Sequence, residues 1–388
     1  MNVLFLTHSF PRSEGDAAGS FILRLAVALR GEGITVRVVA PAAPGLSASE
    51  EIEGVTVDRF RYAPRRFERL AYTGNMASDV ASSWSAKLAM VGFLGSDFVH
   101  AVRARRSFEP DVVHAHWWFP NGVVGTWVGG LAHVPLVTTL HGTDVRLART
   151  VGVARPLFAH VLRHSAAVTT VSRWLRDETE SLAPGVHPQV APMPVATSLF
   201  EPGATRDGAS LLFVGRLNEQ KGLKHLLYAM ASMKSKPALE VVGDGPDREP
   251  LRQLADELGV ASRIRWHGQL SQGALAPLYQ RASAIVLPSV DEGLGLVAVE
   301  ALLCETPVVA FDSGGLRDVI QHEKTGLLVK TGDRAELAAT LDNLLARDGR
   351  GGELGRAGRL YALSAFAPES AARRYAEIYR QVLGRNAS

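Results

Sequence analysis

Short apolar runs alternate with longer segments of helical periodicity along most of the chain. Each run is rich in Val, Leu, Ile and Ala and is bounded by Gly, Pro or Asp, which is typical of strands buried on both faces. The segments between the runs place apolar residues at helical spacing, as in Phe21–Leu29. The runs predict strands over Val3–Leu6, Thr35–Val39, Asp111–Ala115, Pro135–Leu140, Ala167–Val171, Pro188–Ala191, Leu211–Val214, Leu239–Val242, Arg263–Trp266, Ala284–Leu287, Pro307–Ala310 and Gly326–Val329.

The alternation of strands and helices predicts parallel sheets that are covered on both faces and joined by right-handed crossovers. The series occurs twice, and a proline-rich stretch separates the copies at Pro192–Val195 and Glu201–Ala204. We therefore predict an α/β protein with two doubly wound, Rossmann-like domains that face each other across a cleft. The expected domains are residues 1–193 and 194–367, and residues 368–388 are expected to form a C-terminal helix that crosses back to the first domain.

Composition narrows the class of protein. The 388 residues are 46% hydrophobic and include one cysteine, Cys304, which excludes a disulfide framework and a cysteine metal cluster. The amino terminus lacks a basic leader, and its apolar run is too short for a signal peptide. Apolar runs long enough to span a bilayer are absent from the sequence, so we expect a cytoplasmic protein.

The excess of positive over negative charge lies in the first half of the chain. The net charge is +3, and residues 1–195 alone hold 19 Lys and Arg against 16 Asp and Glu. Several arginines cluster between Arg59 and Arg69. Such a run is either a solvated face or a contact for an anionic partner, here an anionic acceptor or the inner face of a membrane. A nucleic-acid partner is not expected, and the oligomeric state is not predicted.

The most informative segment follows the predicted strand that ends at Leu287. A loop carrying Glu292 leads through a Gly-x-Gly sequence into a helix that carries Glu300. A helix amino terminus with open amides attracts phosphate, and the two carboxylates can accept hydrogen bonds from sugar and ribose hydroxyls. The segment therefore predicts a site for a phosphorylated sugar or nucleotide.

Two cations follow the first strand of the second series. Arg216 and Lys221 lie in the loop that begins with Gly215. Two cations at the carboxyl end of a strand can clamp a diphosphate, the arginine through two parallel hydrogen bonds and the lysine as a point charge. Gly243 lies in a similar turn after the next strand, where either a ligand contact or a plain turn accounts for the glycine.

The first half contributes histidines at predicted strand ends. His141 ends a strand before a glycine, so its ring is expected to face the cleft, whereas His114 and His116 share one strand face. His114 is interpreted as structural. A metal site with Asp144 is not predicted, because a further ligand with matching spacing is missing. Gly19 closes the loop after the first strand at a helix start and is a candidate phosphate contact.

Four of these stretches together carry a family resemblance. They are Phe213–Leu217 with Lys221 and Gly222, Val242–Pro246, Glu292–Ala301 and Thr139–Gly142, and they cover both halves in order. With them the chain resembles retaining glycosyltransferases of the GT-B fold, in the large family four of nucleotide-sugar-dependent enzymes.

The resemblance implies a role for each motif residue. Arg216 and Lys221 would hold the donor diphosphate, Glu292 would bind the transferred sugar, and Glu300 would bind the ribose. His141 would lie near the sugar ring on the acceptor side. The implied catalytic set is His141, Arg216, Lys221 and Glu292; donor contacts would add Gly19, Gly215, Gly243, Gly293, Leu294, Gly295, Leu296 and Glu300, and the acceptor side would add His116 and Asp144.

The resemblance also implies a reaction. Members of the family need no metal or other cofactor, and they retain anomeric configuration by front-face attack, in which a donor phosphate oxygen takes the acceptor proton. The expected activity is hexosyl transfer from a nucleotide-diphosphate sugar to a glycan or lipid-linked acceptor. UDP-hexose is favoured as donor, and GDP-mannose remains open.

Three other functions are weighed against transfer. The first is a nucleotide-sugar-binding protein without catalysis, and the second is a GT-B sugar phosphorylase. The third, a NAD-dependent dehydrogenase, is disfavoured because the first strand is not followed by Gly-x-Gly-x-x-Gly.

Overall fold

The computed structural model describes residues 1–72, 76, 79–80, 83–203, 210–346 and 349–386. Within these ranges the chain divides into two compact units. The first consists of Met1–Pro194 together with the chain from Pro368 onward, and the second of Val195–Ala367. Ala204, the last residue of the proline-rich stretch noted above, lies outside the described residues.

The first unit is built on one large sheet. Its strands are β1 (Asn2–Leu6), β2 (Thr35–Pro41), β3 (Ser49–Ile52), β4 (Val55–Phe60), β5 (Val112–His116), β6 (Leu136–Leu140), β7 (Ala167–Thr170) and β8 (Gln189–Val190). They lie in the order β3-β4-β2-β1-β5-β6-β7-β8 and are parallel, except that β3 runs antiparallel to β4. The helices between them are α1 (Ser20–Leu29), α2 (Trp84–Phe108), α3 (Val123–Ala132), α4 (Thr143–Thr150), α5 (Arg155–Arg163) and α6 (Arg173–Leu182).

The central strands of this sheet are buried along their whole length. Every residue of β5 and β6 is buried, as expected where helices cover both faces of a parallel sheet. Helices α2 and α3 cover one face, because Phe93 and Val124 pack in one cluster with Leu4, Val39 and Val113 of the strands. The burial explains the apolar residues by which these strands were recognisable, although β5 also carries two histidines and β6 two threonines.

The second unit repeats the design with a fully parallel sheet. Its strands are β9 (Ser210–Val214), β10 (Ala238–Val242), β11 (Ile264–Gly268), β12 (Ala284–Leu287), β13 (Val308–Phe311) and β14 (Leu327–Val329), in the order β11-β10-β9-β12-β13-β14. Its helices are α7 (Leu223–Ser232), α8 (Arg248–Glu257), α9 (Gln272–Arg281), α10 (Leu296–Leu303), α11 (Leu316–Val319), α12 (Arg334–Ala346) and α13 (Arg350–Phe366).

Each sheet contains one point at which the strand order reverses. In the first sheet β1 lies between β2 and β5, and in the second β9 lies between β10 and β12. In open α/β sheets, ligands bind outside the carboxyl ends of the strands at this switch point. The loops after β1, β5 and β6 in one unit, and after β9 and β12 in the other, are therefore the places where sites are expected.

The chain ends in helix α14 (Pro368–Asn386), which packs against α1 of the first unit. Its Tyr379 and Tyr375 are fully buried, and the Tyr379 hydroxyl lies 2.7 Å from Nδ1 of His114 in β5. The predicted return of the C-terminal helix to the first half is confirmed. None of the helices in the described ranges is both long and apolar enough to cross a bilayer.

The predicted strands are confirmed with their ends moved by a residue or two, whereas β3 and β4 were not predicted. Edge strand β3 is mostly polar, and β4 alternates buried and more exposed residues at its start. Neither pattern gives the continuous apolar run that marks a strand buried on both faces.

Arg59 in β4 does not belong to the exposed basic run, contrary to the sequence interpretation. It is 2% exposed, and its guanidinium donates to Glu50 (2.7 Å), to the Pro11 carbonyl (2.5 Å) and to the Tyr72 hydroxyl (3.1 Å). The guanidinium charge of Arg59 is therefore satisfied by partners within the first unit, and Arg59 is not available to an anionic partner. The exposed cations of the run are Arg61, Arg65, Arg66 and Arg69.

Candidate active site

An ion pair joins two loops at the switch point of the second sheet. Lys221 lies in the loop after β9 and Glu292 in the loop after β12, and Lys221 Nζ is 2.6 Å from Glu292 Oε2. Their side chains are 23% and 16% exposed, so the pair is accessible yet largely removed from water. Gly215 and the half-buried Arg216 lie on the same loop as Lys221.

Hydrogen bonds hold the two loops in register. Asn218 Oδ1 caps the turn by accepting from the Lys221 amide (3.1 Å). The Gln220 side chain donates to the Asp291 carbonyl (3.0 Å), and the Val290 amide donates to the Gln220 carbonyl (2.8 Å). The ion pair is therefore supported on both sides by bonds between the same two loops.

The residue before Glu292 has an unusual backbone. Asp291 has φ = 56°, a left-handed conformation that non-glycine residues rarely adopt, and its amide donates to Ser313 Oγ (3.0 Å) in the loop after β13. Such strain persists only where neighbouring contacts enforce it and is often found at functional sites.

Glycines in the loops after β10 and β13 allow neighbouring loops to pack backbone against backbone. A Cβ on Gly243 would collide with the carbonyl of Gly215, and one on Gly315 would collide with the carbonyl of Gly293. These contacts bring together the loops after β9, β10, β12 and β13. Packing between loops therefore accounts for Gly243 and Gly315 as small residues, whereas a Cβ on Gly215 would make only ordinary contacts with Lys221 and Phe213.

Helix α10 begins directly behind the acidic loop. Gly295 precedes it with φ = 90°, and Leu294 is buried. The first intrahelical bond runs from the Ala298 amide to the Gly295 carbonyl (2.9 Å), so the earlier amides of Leu296 and Val297 lie ahead of the hydrogen-bonded turns. These amides and the helix dipole favour an anion at this end.

Glu300 is held by two side chains of α9. The Tyr279 hydroxyl donates to Oε2 (2.8 Å) and the Gln272 amide to Oε1 (3.2 Å), and Glu300 is 7% exposed. Burial, followed by the charge of Glu300, raises the pKa of Tyr279 well above its usual value, so the phenol remains a donor. The sequence analysis did not identify Tyr279 or Gln272, because nothing in their local pattern distinguishes them from ordinary helix residues.

The candidate residues of the first unit gather at the carboxyl ends of β1, β5 and β6. His116 Nδ1 lies 3.2 Å from His141 Nε2, and Trp117 packs its ring 4.3 Å from that of His141 and 4.2 Å from that of His8. Trp117 has φ = 67° and was not predicted as a site residue. Its position at a strand end, directly after His116, was the available signal.

These imidazoles are neutral near pH 7. Burial, followed by the neighbouring imidazoles, lowers the pKa values of His116 and His141 well below 6.5. Burial lowers the pKa of His8 to about 4, although Asn121 hydrogen-bonds its ring at 3.1 Å. His116 is fully buried, whereas His141 is partly exposed and can meet a ligand.

Asp144 organises the turn that carries His141. Its Oδ1 accepts from the amides of His141 (3.1 Å), Gly142 (2.9 Å) and Val145 (3.0 Å), and the residue is 4% exposed. Burial raises its pKa to about 6 against the opposing effect of these bonds. His116 and Asp144 thus lie behind His141 and position it.

His114 and Gly19 have structural explanations. His114 uses both ring nitrogens, with Tyr379 (2.7 Å) and with Thr139 (2.6 Å), so neither nitrogen is available to a metal. Groups of three or more metal-ligating side chains are absent from the part of the chain that the structure describes. Gly19 begins α1 with φ = 68°, and a Cβ there would collide with the Ser9 carbonyl.

Comparisons with known proteins cover both units. Residues 17–195 match a family described as glycosyl transferase 4-like domain, and residues 197–360 match glycosyl transferases group 1. The chain is 32% identical over 330 residues to the D-inositol 3-phosphate glycosyltransferase of Thermobispora bispora, which covers 76% of each protein.

Solved structures show the same arrangement of elements. The sucrose-phosphate synthase of Thermosynechococcus elongatus superposes with a TM-score of 0.82 at 22% identity and covers 99% of both chains. The Anabaena HepE protein, solved with UDP-glucose, superposes with a TM-score of 0.74 at 18% identity over 98% of this chain and 100% of its own. These likenesses confirm the predicted GT-B fold.

Proposed function

Because the chain belongs to the group 1 glycosyltransferases, we propose that it moves a hexosyl unit from a nucleotide-diphosphate sugar to an acceptor hydroxyl with retention of configuration. The observation that carries the proposal is the Lys221–Glu292 pair at the switch point of the second sheet. It combines a cation for the diphosphate with a carboxylate for sugar hydroxyls, beside the amino end of α10.

The ion pair leaves Lys221 able to bind the donor. An ammonium carries three N–H donors, and Glu292 accepts one of them. The remaining donors, with Arg216 and the first amides of α10, would meet the diphosphate. As the bond from the sugar C1 to the phosphate oxygen breaks, negative charge grows on the diphosphate, and these groups would stabilise it.

The proton needs no protein base in this mechanism. The acceptor oxygen bonds to C1 on the face that the diphosphate leaves, and its proton passes to the departing phosphate oxygen. Glu292 binds and orients the sugar in this scheme. The neutral ring of His141 would accept or donate a hydrogen bond at a sugar hydroxyl without adding charge.

UDP-glucose is the first donor to test, because the similar HepE protein was solved with it. GDP-mannose is the second. We expect either reaction to proceed without added metal, so each donor is assayed with and without a chelator.

Product stereochemistry tests the proposal. The protein is incubated with the donor and a panel of glycoside acceptors, and the new anomeric proton is read by NMR. An α-linkage from the α-configured donor supports retention, and a β-linkage overturns it. Donor binding without turnover across the panel would favour a binding protein, and turnover only with inorganic phosphate would favour a phosphorylase.

We also propose that the protein is cytoplasmic and lies on an anionic membrane surface. Trp84, Leu88 and Val91 are 80%, 72% and 69% exposed, and their spacing puts them on one face of α2. Ser96 of the same helix donates to the Arg61 carbonyl (2.7 Å), which ties the exposed arginines to that helix. Apolar side chains beside arginines suit the boundary of an anionic bilayer.

Vesicle co-sedimentation tests this contact. Binding to vesicles of phosphatidylcholine with phosphatidylglycerol should exceed binding to phosphatidylcholine alone and weaken at high salt. Leu88→Asp should reduce it. Equal binding to both vesicle types would overturn the proposal.

A further inference from the structure

A cavity of about 650 Å³ lies within the first unit, beside the histidine cluster. The loop after β1, helices α2 and α4 and the segment after β5 all contribute to it. Most of its lining is apolar and comes from distant parts of the sequence. The apolar walls include Leu70, Met76, Val80, Met90, Phe119 and Leu147.

Two aromatic walls of the cavity are fixed before any ligand binds. Trp117 is 8% exposed and packs between the rings of His8 and His141. Tyr72 donates to the Pro41 carbonyl (2.7 Å), and the Arg12 guanidinium lies 5.1 Å from the centre of its ring. A ligand would therefore enter a preformed pocket and would not have to order these side chains.

The charge of the lining argues against an anionic ligand. Among the described residues of the lining, Lys87 is the only cation, Asp144 is committed to backbone amides, and His8 is neutral near pH 7 because burial lowers its pKa to about 4. Three polar residues of the lining, His8, Ser9 and Thr143, lie by strand ends and the start of α4. The pocket thus has an apolar body and a polar edge.

We propose that this pocket binds an apolar aglycone of the acceptor, such as an alkyl chain or an aryl ring, while the acceptor hydroxyls lie at the His8–Thr143 edge. The inference rests on the proposed function and adds the chemical class of the acceptor. Burial of one methylene is worth about 0.8 kcal/mol, or about fourfold in affinity. Affinity should therefore rise about fourfold per added methylene until the pocket is full.

Titration calorimetry with glucose and with hexyl, heptyl and octyl glucosides below their micelle concentrations tests the proposal, and phenyl glucoside forms the aryl arm. We expect glucose to bind weakly and the alkyl series to tighten stepwise. Leu147→Asp, at a half-buried wall position, should weaken octyl glucoside at least tenfold. Leu157→Asp, on α5 and 40% exposed outside the pocket, is the matched control and should bind like the wild type.

The same titrations with UDP-glucose separate the two proposals. Unchanged UDP-glucose binding in Leu147→Asp, with loss of octyl glucoside, supports the pocket assignment. Equal affinity for glucose and octyl glucoside, or no effect of Leu147→Asp, overturns the assignment and leaves the proposed transfer reaction intact. Failure of UDP-glucose and GDP-mannose to bind the wild type would count against the transfer reaction itself.

Discussion

Replacing Lys221 by alanine removes the cation that pairs with Glu292 and, in the proposed mechanism, faces the donor diphosphate. The Lys221–Glu292 distance of 2.6 Å and the modest exposure of both side chains show that the charges meet outside bulk water. The variant therefore removes an electrostatic contact and leaves the Glu292 carboxylate without its partner.

Two magnitudes follow from this geometry. In its exposure to water, the Lys221–Glu292 pair lies between two classes of ion pair. Exposed pairs contribute about 0–1 kcal/mol to stability, and disruption of a buried pair costs about 3–5 kcal/mol. We expect a stability loss of about 1–2 kcal/mol. Removal of one preorganised group that stabilises growing charge costs about 10²–10³ in rate, or about 3–4 kcal/mol. The effect on turnover should therefore exceed the effect on folding.

The assay compares UDP release from UDP-glucose, with an acceptor that the wild type uses, against urea unfolding of the same variants. Lys224→Ala is the matched control, because Lys224 pairs with Glu219 one turn further on, with side chains 39% and 87% exposed. The Lys224→Ala variant should change neither the turnover nor the free energy of unfolding noticeably. Turnover of Lys221→Ala within about threefold of the wild type, with the variant folded, would refute the assigned role.

Two further predictions concern stability. Burial lowers the pKa of His114 from 6.5 to about 3, so the folded state binds fewer protons than the unfolded state at mildly acidic pH; stability is complete above pH 6.5 and should fall by about 1.5–2 kcal/mol from this group between pH 6.5 and 5. His114→Gln should reduce the fall of Tm between pH 7 and 5, to which His8, His116 and His141 also contribute, and an unchanged fall would contradict the assignment. Gly315→Ala should cost about 1–3 kcal/mol in urea unfolding, because the new methyl group meets the Gly293 carbonyl, and should weaken UDP-glucose binding. The exposed helical Gly273→Ala, with open space around its Cβ, should be neutral or stabilising, and equal losses in both variants would contradict this reasoning.

The fold was predictable because burial on both faces leaves a direct trace in sequence. The continuous apolar residues of β12 and β13 are all buried in the structure, so a run of such residues between turns predicts a central strand. Strands β3 and β4 carry no such trace, because β3 is mostly polar and β4 alternates buried and more exposed residues at its start. Arg59 illustrates the consequence, because a buried arginine in β4 resembles its exposed neighbours until Glu50 and Pro11 are seen around it.

The candidate site was predictable where one loop carries it and unpredictable where distant segments meet. Lys221 and Glu292 follow strand ends with glycines nearby, a local pattern that points to chemistry. The contacts of Glu300 with Tyr279 and of His116 with His141 depend on which helices and strands become neighbours. The positive φ of Trp117 likewise depends on packing, and the presence of a tryptophan in the sequence does not reveal it.

The two candidate sites differ in charge in a way that would separate their ligands. The second unit offers Lys221 and the open amides of α10, which favour an anion. In the first unit, burial keeps His8, His116 and His141 uncharged at neutral pH, and an apolar pocket adjoins them. Protonated imidazoles there would form a second cationic centre and compete for the anionic donor. In the proposed scheme, neutral rings would leave the diphosphate to Lys221, and the first unit would suit an uncharged, amphipathic acceptor.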